Sequence, residues 1–508
     1  MPIRITGLNS GLDTESIISA LVSSYSYKTD KYKKAQTKLS WKQDAWKELN
    51  SKIYSLYKNV GNMKLSSTYN MKTATVSNST KVSITAGAEA ANGSYSVQVT
   101  KLATSDYTTG AKLSEDITSS TKISDITNAT TLKLTVGGEP KEIQITEETT
   151  IQSLMSELRT KAGVNANFDA KNGRIFISSK QTGETNRIVF DETDADSKAI
   201  WDALGLTESK GAVHNVGSDA EIWVNGAKYA SDNNTFSVNG MTITATGITT
   251  TATDTNNDGQ VTYDELSVND AVSVQVNTDV QGIYDKIKDF LSQYNSIINE
   301  MTALYNADSA KGYEPLTSEE KDAMSDSEVE KWEEKIKASL LRRDDTLSGL
   351  ISSMKDTMSK GIEIGEETYH LSNFGIMTLP YLDAPKNEQH AYHIDGDEDD
   401  ANTSGKADKL MAMLAEDPEK VTTFMTKLAT NLYDTVHKKM QSTSLSSVYT
   451  VYNDKEMASE YSDYTTTIRK WQERLEQQED YYYKKFAAME TALSKINSQT
   501  SSLSGFFG

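Results

Sequence analysis

Apolar side chains recur at steps of three and four residues along both ends of this chain. In the N-terminal segment the pattern extends from Ile18 to Met63, and only Lys28 and Lys42 interrupt it. A spacing of this kind, held over about six heptads, indicates a long helix that packs against another helix. The predicted contact positions in this helix include Ile18, Leu21, Tyr25, Tyr32 and Leu39. Candidate caps at its two ends are Asp13 or Thr14 at the start and Gly61 near the end.

The C-terminal segment repeats this spacing from 461 to 503. Its predicted contact positions include Trp471, Leu475, Tyr482, Met489, Ile496 and Leu503. The chain has only six prolines and none lies in either segment, so proline interrupts neither helix. We therefore predict that residues 1–40 and 471–508 pair as a coiled-coil stalk. The alternative is two separate amphipathic helices that lie on a core.

Two tyrosines, Tyr27 and Tyr481, lie off the predicted contact faces. Tyrosine is enriched at protein interfaces, where its ring supplies apolar area and its hydroxyl a hydrogen bond. We expect these two side chains to contact neighbouring subunits. Tyrosines on the contact faces are expected to pack mainly within one chain, although all the contact positions named above are candidates for oligomer contacts.

Between the two end segments the apolar period changes to two residues. Short alternating stretches such as Tyr95–Val99 and Val272–Val276 are separated by turns rich in Gly, Asn and Asp. This pattern is typical of antiparallel strands. We predict two nested antiparallel β head domains, an inner one over 73–103 and 213–279 and an outer α+β one over 104–212.

The helical spacing returns at Ile283. It predicts a helical leg domain over 41–72 and 280–470, with an acidic helical insertion at about 310–337. A short helix is also expected at about 151–161, within the outer head domain. The expected fold class is multidomain α+β.

Charge and composition exclude several classes of protein. Lys and Arg total 52, Asp and Glu total 72, and the formal net charge is −20. Nucleic-acid binding needs clustered Lys and Arg, so we do not expect nucleic acid as a partner. The absence of cysteine excludes a disulfide scaffold and a thiolate zinc site. No segment has the roughly 18 apolar residues of a membrane span, and the N-terminus lacks the features of a cleaved secretory signal.

One motif predicts a metal site. Residues 254–265, DTNNDGQVTYDE, match the twelve-residue loop pattern of EF-hand calcium sites. Oxygen atoms suit Ca²⁺, and the expected ligands are Asp254, Asn256, Asp258, the Gln260 carbonyl, Thr262 through water and Glu265 through both carboxylate oxygens. The flanking residues 241–252 and 267–276 look like strands, which would place the loop inside a β-hairpin. The alternative is a solvated acidic turn.

No pattern of a known catalytic site is present. The sequence contains no P-loop, GxSxG or HExxH motif, and its five histidines accompany no nucleophile motif. On paper, His390, His393 and Asp395 could ligate a metal, but we expect the acidic stretch around them to be a solvated loop. We do not expect an enzyme. The carboxylates are too numerous for spacing alone to exclude a glycosidase, so a calcium-dependent extracellular enzyme stays the third alternative.

Several segments resemble the flagellar hook-associated protein 2 family, the filament cap proteins. In chain order the matching segments are ITGLNSGLD at 5–13, FSVNGMTI at 236–243, FGIMT at 374–378, Asp417-Pro418 and YYKKFAAMETALSKINSQTSSL at 482–503. Their order along nearly the whole chain is more specific than any one of them. The resemblance is weakest over about 100–215 and 310–335.

This resemblance implies an extracellular, homo-oligomeric cap at the distal tip of the bacterial flagellar filament, which helps exported flagellin to fold and insert. The implied partners are further copies of the chain, flagellin, the hook–filament junction protein and a dedicated export chaperone that holds the C-terminal helix. The implied route is the flagellar type III apparatus, without signal cleavage. Some members are described as adhesins, so the alternative is a surface-exposed adhesin that binds host mucus or surfaces through the β head.

Overall fold

The structure is a computed structural model that describes the backbone of residues 10–251, 254–255 and 261–507, and the side chains of these residues except 268 and 503–507. The chain divides into two compact units. Met1–Tyr69 and Val280–Gly508 form the helical unit, and Asn70–Asp279 form the β-rich unit. Both ends of the chain therefore belong to one unit, and the other unit is inserted between them in sequence.

Helices account for most of the helical unit. The α-helices within the described residues are α1 Thr14–Met63, α2 Ile151–Glu157, α3 Ala195–Ala203, α4 Val280–Tyr305, α5 Ser318–Asp322, α6 Asp326–Ala338, α7 Asp345–Ser359, α8 Lys409–Glu416, α9 Pro418–Lys439 and α10 Asp454–Phe507. The two helices predicted at the ends of the chain are confirmed as α1 and α10. The predicted helix at 151–161 is confirmed as α2, which continues into a π-helical turn, Leu158–Ala162.

Strands are short and concentrated in the β-rich unit. Within the described residues they are β1 Lys72–Val76, β2 Val82–Ala86, β3 Gly93–Lys101, β4 Ser105–Thr109, β5 Thr131–Val136, β6 Glu139–Gln144, β7 Asn165–Asp169, β8 Arg174–Thr182, β9 Ile188–Phe190, β10 Val213–Asn215, β11 Ala220–Val224, β12 Ala227–Ser231, β13 Thr235–Val238, β14 Met241–Ala245, β15 Val272–Thr278, β16 Ile362–Ile364, β17 Glu367–Tyr369, β18 Ile376–Thr378 and β19 Tyr392–Ile394.

In the helical unit, α1 and α10 lie side by side and antiparallel. The second half of α1 also contacts α4 and α9, so that it forms part of a small helical bundle. Large apolar side chains at helical spacing fill the core of this bundle, among them the buried Trp46, Ile53, Tyr294, Phe424 and Leu428. Burying this apolar surface contributes about 25 cal/mol per Å², and it fixes the helix that continues into the terminal pair.

The β-rich unit contains two separate hydrophobic cores. One lies between a five-stranded sheet, β1-β15-β3-β11-β12, and a three-stranded sheet, β13-β14-β2, and includes Val97, Ile243 and Val274. The other involves the sheets β10-β4-β8-β7 and β6-β5-β9 with α2 and α3, and includes Leu134, Ile177 and Trp201. The strand pairs of these sheets are antiparallel, as the alternating pattern predicted. The limits of the predicted domains stay a prediction.

The multidomain α+β fold class is confirmed, with one local addition. Within the predicted helical leg, the structure has two small hairpins, β16–β17 and β18–β19. Each strand has only three residues, too few for an alternating pattern to be recognised against a loop. No helix in the described part of the chain is long and apolar enough to cross a lipid bilayer.

Candidate functional site: the terminal helix pair and the 254–265 loop

The terminal helix pair, α1 with α10, begins at a well-formed cap. Asp13 accepts hydrogen bonds from the Ser16 amide at 3.1 Å and from the Ser16 hydroxyl at 2.6 Å. These two donors hold the pKa of Asp13 below its ordinary value. Ser10 donates from its amide and its hydroxyl to the Glu490 carboxylate, so the residues just before α1 are tied to α10.

Aromatic rings face each other across the pair. Tyr25 and Trp471 have ring centroids 6.3 Å apart, and Tyr32 and Tyr464 have the same separation. One turn further along α1, the Gln36 side-chain amide donates to the Thr465 hydroxyl at 2.7 Å. The contacts therefore combine aromatic area with polar groups. The predicted pairing of the two ends is confirmed.

The contact face of α1 differs from the prediction in its first half. Val22 and Thr29 are buried where Leu21 and Lys28 were expected, and Leu21 is 44% exposed. A heptad has two contact positions, and the second can follow the first by three residues or by four. Ile18, Tyr25 and Tyr32 fit both choices, so the sequence pattern did not separate them. The placement of Leu21 on the contact face was wrong, whereas the Lys28 ammonium still reaches α10 and lies 4.4 Å from the centre of the Trp471 ring.

Most other predicted contact residues lie between the helices or at their edges. Ile18 is buried, and the half-buried ones are Tyr25, Tyr32, Leu39, Trp471, Leu475, Tyr482 and Met489. The Leu503 side chain lies outside the described residues. Besides Leu21, three predicted contact residues face solvent in the single chain: Tyr27 is 72% exposed, Tyr481 48% and Ile496 55%.

The helix pair is also braced by lysines whose partners the pattern did not predict. Lys42, an interruption in the apolar spacing, forms an ion pair with Asp344 at 2.9 Å. Lys34 forms another with Glu320 of the acidic insertion, at 2.7 Å. Lys337 of α6 lies over the ring of Trp41. The sequence did contain a signal for these contacts, because the insertion is acidic and α1 carries many lysines.

Further along α1, Tyr57 belongs to an aromatic cluster that the sequence pattern likewise did not predict. Tyr57 stacks on Tyr433 with ring centroids 4.4 Å apart, and the two hydroxyls lie 2.5 Å apart. The Tyr57 hydroxyl also lies 2.9 Å from His437 Nδ1. Burial, followed by the hydrogen bond with Tyr433, raises the pKa of Tyr57. The cluster fixes α9 against α1 and supports the base of the helix pair.

In the 254–265 loop, Glu265 joins the two ends of the sequence motif. One carboxylate oxygen accepts from the Thr255 amide at 2.9 Å and hydroxyl at 2.7 Å. The other oxygen accepts from the Thr262 amide at 2.8 Å and hydroxyl at 3.1 Å. These bonds, led by the Thr262 amide, lower the pKa of Glu265 to about 2. Of the other predicted ligands, Asp254 is described, while Asn256, Asp258 and Gln260 lie outside the described residues.

The surroundings of this loop correct one expectation. The strand before it, β14, pairs with β13 and β2, whereas the strand after it, β15, pairs with β1 and β3. The loop therefore connects two sheets and does not close a β-hairpin. Alternation alone shows that two segments are strands and not which partners they take. Within the described ranges, no group of three or more His, Asp or Glu side chains is arranged to hold a metal ion.

The second acidic stretch is only partly the solvated loop that was expected, because Glu398 and Asp399 are exposed whereas Asp395 is buried. His393 Nδ1 lies 2.5 Å from Asp400, and buried Asp395 accepts from Lys406 at 2.8 Å. Lys288 of α4 donates to both Asp397 and Asp399 at 2.6 Å. The Lys288 ammonium thus neutralises two carboxylates of this stretch, and Asp395, one of the three residues that could ligate a metal on paper, pairs instead with Lys406.

With this geometry established, the chain can be compared with known proteins. Residues 217–498 match the family model described as Flagellar hook-associated protein 2 C-terminus, and residues 10–106 match the corresponding N-terminus model. Flagellar hook-associated protein 2 of Halalkalibacterium halodurans is 25% identical over 99% of this chain and 100% of its own length. The protein of the same name from Thermotoga maritima is 24% identical over 76% of this chain and 59% of its own length.

One solved structure supports the fold. The crystal structure of the D1-D2-D3 domains of the flagellar cap protein FliD from Escherichia coli has a TM-score of 0.51 and 20% identity, and the match covers 77% of this chain and 95% of that one. The C-terminal family model alone spans more than half of the sequence. Together with the paired terminal helices and the inserted β-rich unit, these matches show that the chain belongs to the flagellar hook-associated protein 2 family.

Proposed function

We propose that this protein caps the distal tip of the bacterial flagellar filament as a homo-oligomer and promotes the folding and insertion of exported flagellin. The proposal follows from family membership over nearly the whole chain. It places the protein outside the cell, at the end of the filament, after export through the flagellar type III apparatus. A chain without cysteine cannot form disulfides that would obstruct export in an unfolded state.

A second observation supports the proposal, namely large apolar side chains that the helix pair leaves exposed. We call Leu21, Tyr27, Tyr481 and Ile496 the exposed stalk residues. Single exposed apolar residues are ordinary, and these four are spread along both helices, so we infer that they act as separate contact points in an assembly. Each large side chain that becomes buried in an assembly contributes about 1.5–3 kcal/mol. Neighbouring copies and flagellin are the partners that these contact points would serve.

The contacts between α1 and α10 also include polar ones that can break and form again. The Gln36–Thr465 hydrogen bond and the Lys28 ammonium 4.4 Å from the Trp471 ring are partly exposed polar contacts. Contacts of this kind contribute only about 0–1 kcal/mol each in water. A cap that moves as subunits are added beneath it needs such weak contacts. A fully apolar interface between the helices would hold one arrangement too tightly.

Two further partners belong to the proposal. A dedicated export chaperone would cover the C-terminal part of α10 before export, where Tyr481 and Ile496 are exposed. The hook–filament junction protein would be the first platform on which the cap assembles. Adhesion through the β head stays the alternative.

We also propose that the 254–265 loop binds Ca²⁺ through Asp254, Asn256, Asp258, Gln260, Thr262 and Glu265. The motif supports this. To bind the ion with both oxygens, the Glu265 carboxylate would exchange its hydrogen bonds with Thr255 and Thr262 for the metal. The bound ion would stiffen the connection between β14 and β15, which belong to different sheets.

Electron microscopy of the purified full-length protein tests the oligomer. A ring or plate with protruding helical segments is expected at high protein concentration. A compact monomer under the same conditions would count against the proposal. Cells that lack the protein distinguish the alternative, since normal filaments with poor surface attachment would favour an adhesin.

A further inference from the structure

One side of the terminal helix pair has a groove in which two cations meet at one aromatic ring. The Lys28 ammonium of α1 lies 4.4 Å from the centre of the Trp471 ring, and the Arg474 guanidinium of α10 lies 4.9 Å from it. Ser24 and Gln477 also line this groove. Two cationic groups on one ring repel each other, so a carboxylate placed between them would be attracted by both.

Two further cations extend this side of the helix pair. Lys31 follows Lys28 by one turn of α1. Lys485 follows Arg474 by eleven residues, which is three turns of α10, and its ammonium lies 4.6 Å from the centre of the Tyr481 ring. We call Lys28, Lys31, Arg474 and Lys485 the cationic groove. All four side chains are exposed, and none forms an ion pair with another described residue.

Another side of α10 carries the opposite charge. Glu473, Glu476 and Asp480 recur at steps of three and four residues, and we call them the acidic row. Glu476 is two residues from Arg474, which at 3.6 residues per turn puts the two side chains on opposite sides of the helix. Glu473 and Glu476 are exposed, and neither is ion-paired within the described ranges. Because α10 is a rigid rod, the acidic row cannot fold over to the cationic groove of its own chain.

The two charged surfaces lie at the same level along the helix pair. Tyr25 lies opposite Trp471, and the helices are antiparallel. The two α1 lysines of the groove follow Tyr25, so they are level with residues that precede Trp471 on α10. Lys485 lies beyond the acidic row in the other direction. A second copy placed beside the first at the same level would therefore present its acidic row to the middle of the cationic groove.

We propose that the cationic groove binds the acidic row of a second copy of this chain. The two surfaces differ, so the contact is heterologous and repeats from copy to copy, and it closes a ring if the rotation between copies allows. Tyr27, one turn before Lys31, and Tyr481 border the groove and add aromatic area, which protein interfaces favour. Copies of net charge −20 repel one another overall, so these opposite charges select one orientation of approach. The inference rests on the proposed homo-oligomer and adds which faces meet.

Sedimentation velocity of the full-length protein, with charges reversed on each surface, tests the inference. One double variant, Lys31→Glu with Lys485→Glu, changes the groove without removing either cation that contacts Trp471. The other, Glu473→Lys with Glu476→Lys, changes the acidic row. Each should self-associate about tenfold more weakly than the wild type. A mixture of the two should associate more tightly than either alone, because it restores one native pairing of groove with row. A misfolded variant could not be rescued in this way.

Lys33→Glu with Lys47→Glu is the matched control, because both lysines are exposed on α1 outside the groove and the net charge changes equally. It should leave association unchanged. Raising NaCl from about 50 mM to about 500 mM should weaken association of the wild type. The inference is overturned if both double variants assemble like the wild type, if their mixture does not associate, or if they lose only flagellin binding. A wild type that stays monomeric would contradict the proposed oligomer itself, and this inference with it.

Discussion

Tyr25 of α1 and Trp471 of α10 face each other with ring centroids 6.3 Å apart, although they come from opposite ends of the chain. The Lys28 ammonium lies 4.4 Å from the centre of the same Trp471 ring. This contact fixes the register between the two terminal helices at a point well beyond the helical bundle. Trp471 therefore contacts two residues of α1 at once.

We predict that Trp471→Ala loosens the terminal helix pair and leaves the bundle intact. An aromatic pair contributes about 0.5–1.5 kcal/mol beyond its buried area, and the variant loses this contribution along with the contact of Lys28. Hydrogen exchange should become faster in the first half of α1 and along α10. Tyr27→Ala is the control, because Tyr27 is mostly exposed and its removal should leave exchange unchanged. Equal protection in the Trp471 variant would contradict the account.

The exposed stalk residues should matter for assembly and not for folding. We predict that Tyr27→Asp and Ile496→Asp change the free energy of unfolding of the single chain by less than about 0.5 kcal/mol, because both side chains face water. The same variants should reduce oligomer formation in sedimentation experiments, since a charge would be buried between subunits. Normal oligomers in both variants would show that these residues are not contacts.

Variants of Asp344 can separate the contribution of an ion pair to the free energy of unfolding from that of a helix cap. It forms the ion pair with Lys42, and it caps α7 by accepting from the Thr346 and Leu347 amides at 3.0 and 3.2 Å. Asp344→Asn removes the charge but keeps a capping side chain, so the loss should stay below about 1 kcal/mol. Asp344→Ala removes both and should cost about 1 kcal/mol more. Urea unfolding measures the two values, and identical losses would mean that the cap contributes nothing.

Titration calorimetry should detect calcium binding to the wild type at neutral pH. Glu265→Gln should abolish most of the heat, because it removes a predicted bidentate ligand. Asp264→Asn is the matched control, since Asp264 is adjacent in sequence and occupies no ligand position of the motif. The site is excluded if the wild type gives no heat, or if the two variants behave alike.

The pKa of Glu265 predicts how the loop responds to acid. This pKa is lowered to about 2 in the folded chain from an ordinary value of 4.5. A lowered pKa means that the contribution to stability is complete above the ordinary value and is lost as the pH falls towards about 2. The difference in urea midpoint between wild type and Glu265→Gln should therefore be larger at pH 7 than at pH 2.5. A difference that grows in acid would contradict this sign.

Much of the helical architecture follows from the apolar spacing, because long periodic segments leave little ambiguity. Ile18, Tyr25 and Tyr32 were placed correctly, since they recur every seven residues under either choice of contact face. Leu21 and Val22 were not, because the partner helix decides which of two adjacent residues it covers. The bundle supplies that information, and a single helical segment does not contain it.

The candidate sites show the same limit. The spacing of carboxylates was visible at 395–400, but the ammonium of Lys288 that neutralises two of them comes from α4, far away in sequence. Local alternation likewise could not predict that β14 and β15 pair with different strands. Local sequence patterns predicted the helices and strands well. Which of these elements contact one another could be learned only from the fold.

Deletion of the gene, with the culture medium and the cell surface examined together, tests the cap proposal most directly. The account predicts cells without filaments and with flagellin monomers in the medium, and filaments restored by the wild-type protein but not by a Tyr27→Asp, Ile496→Asp double variant. Full-length filaments on cells that lack this protein would contradict it.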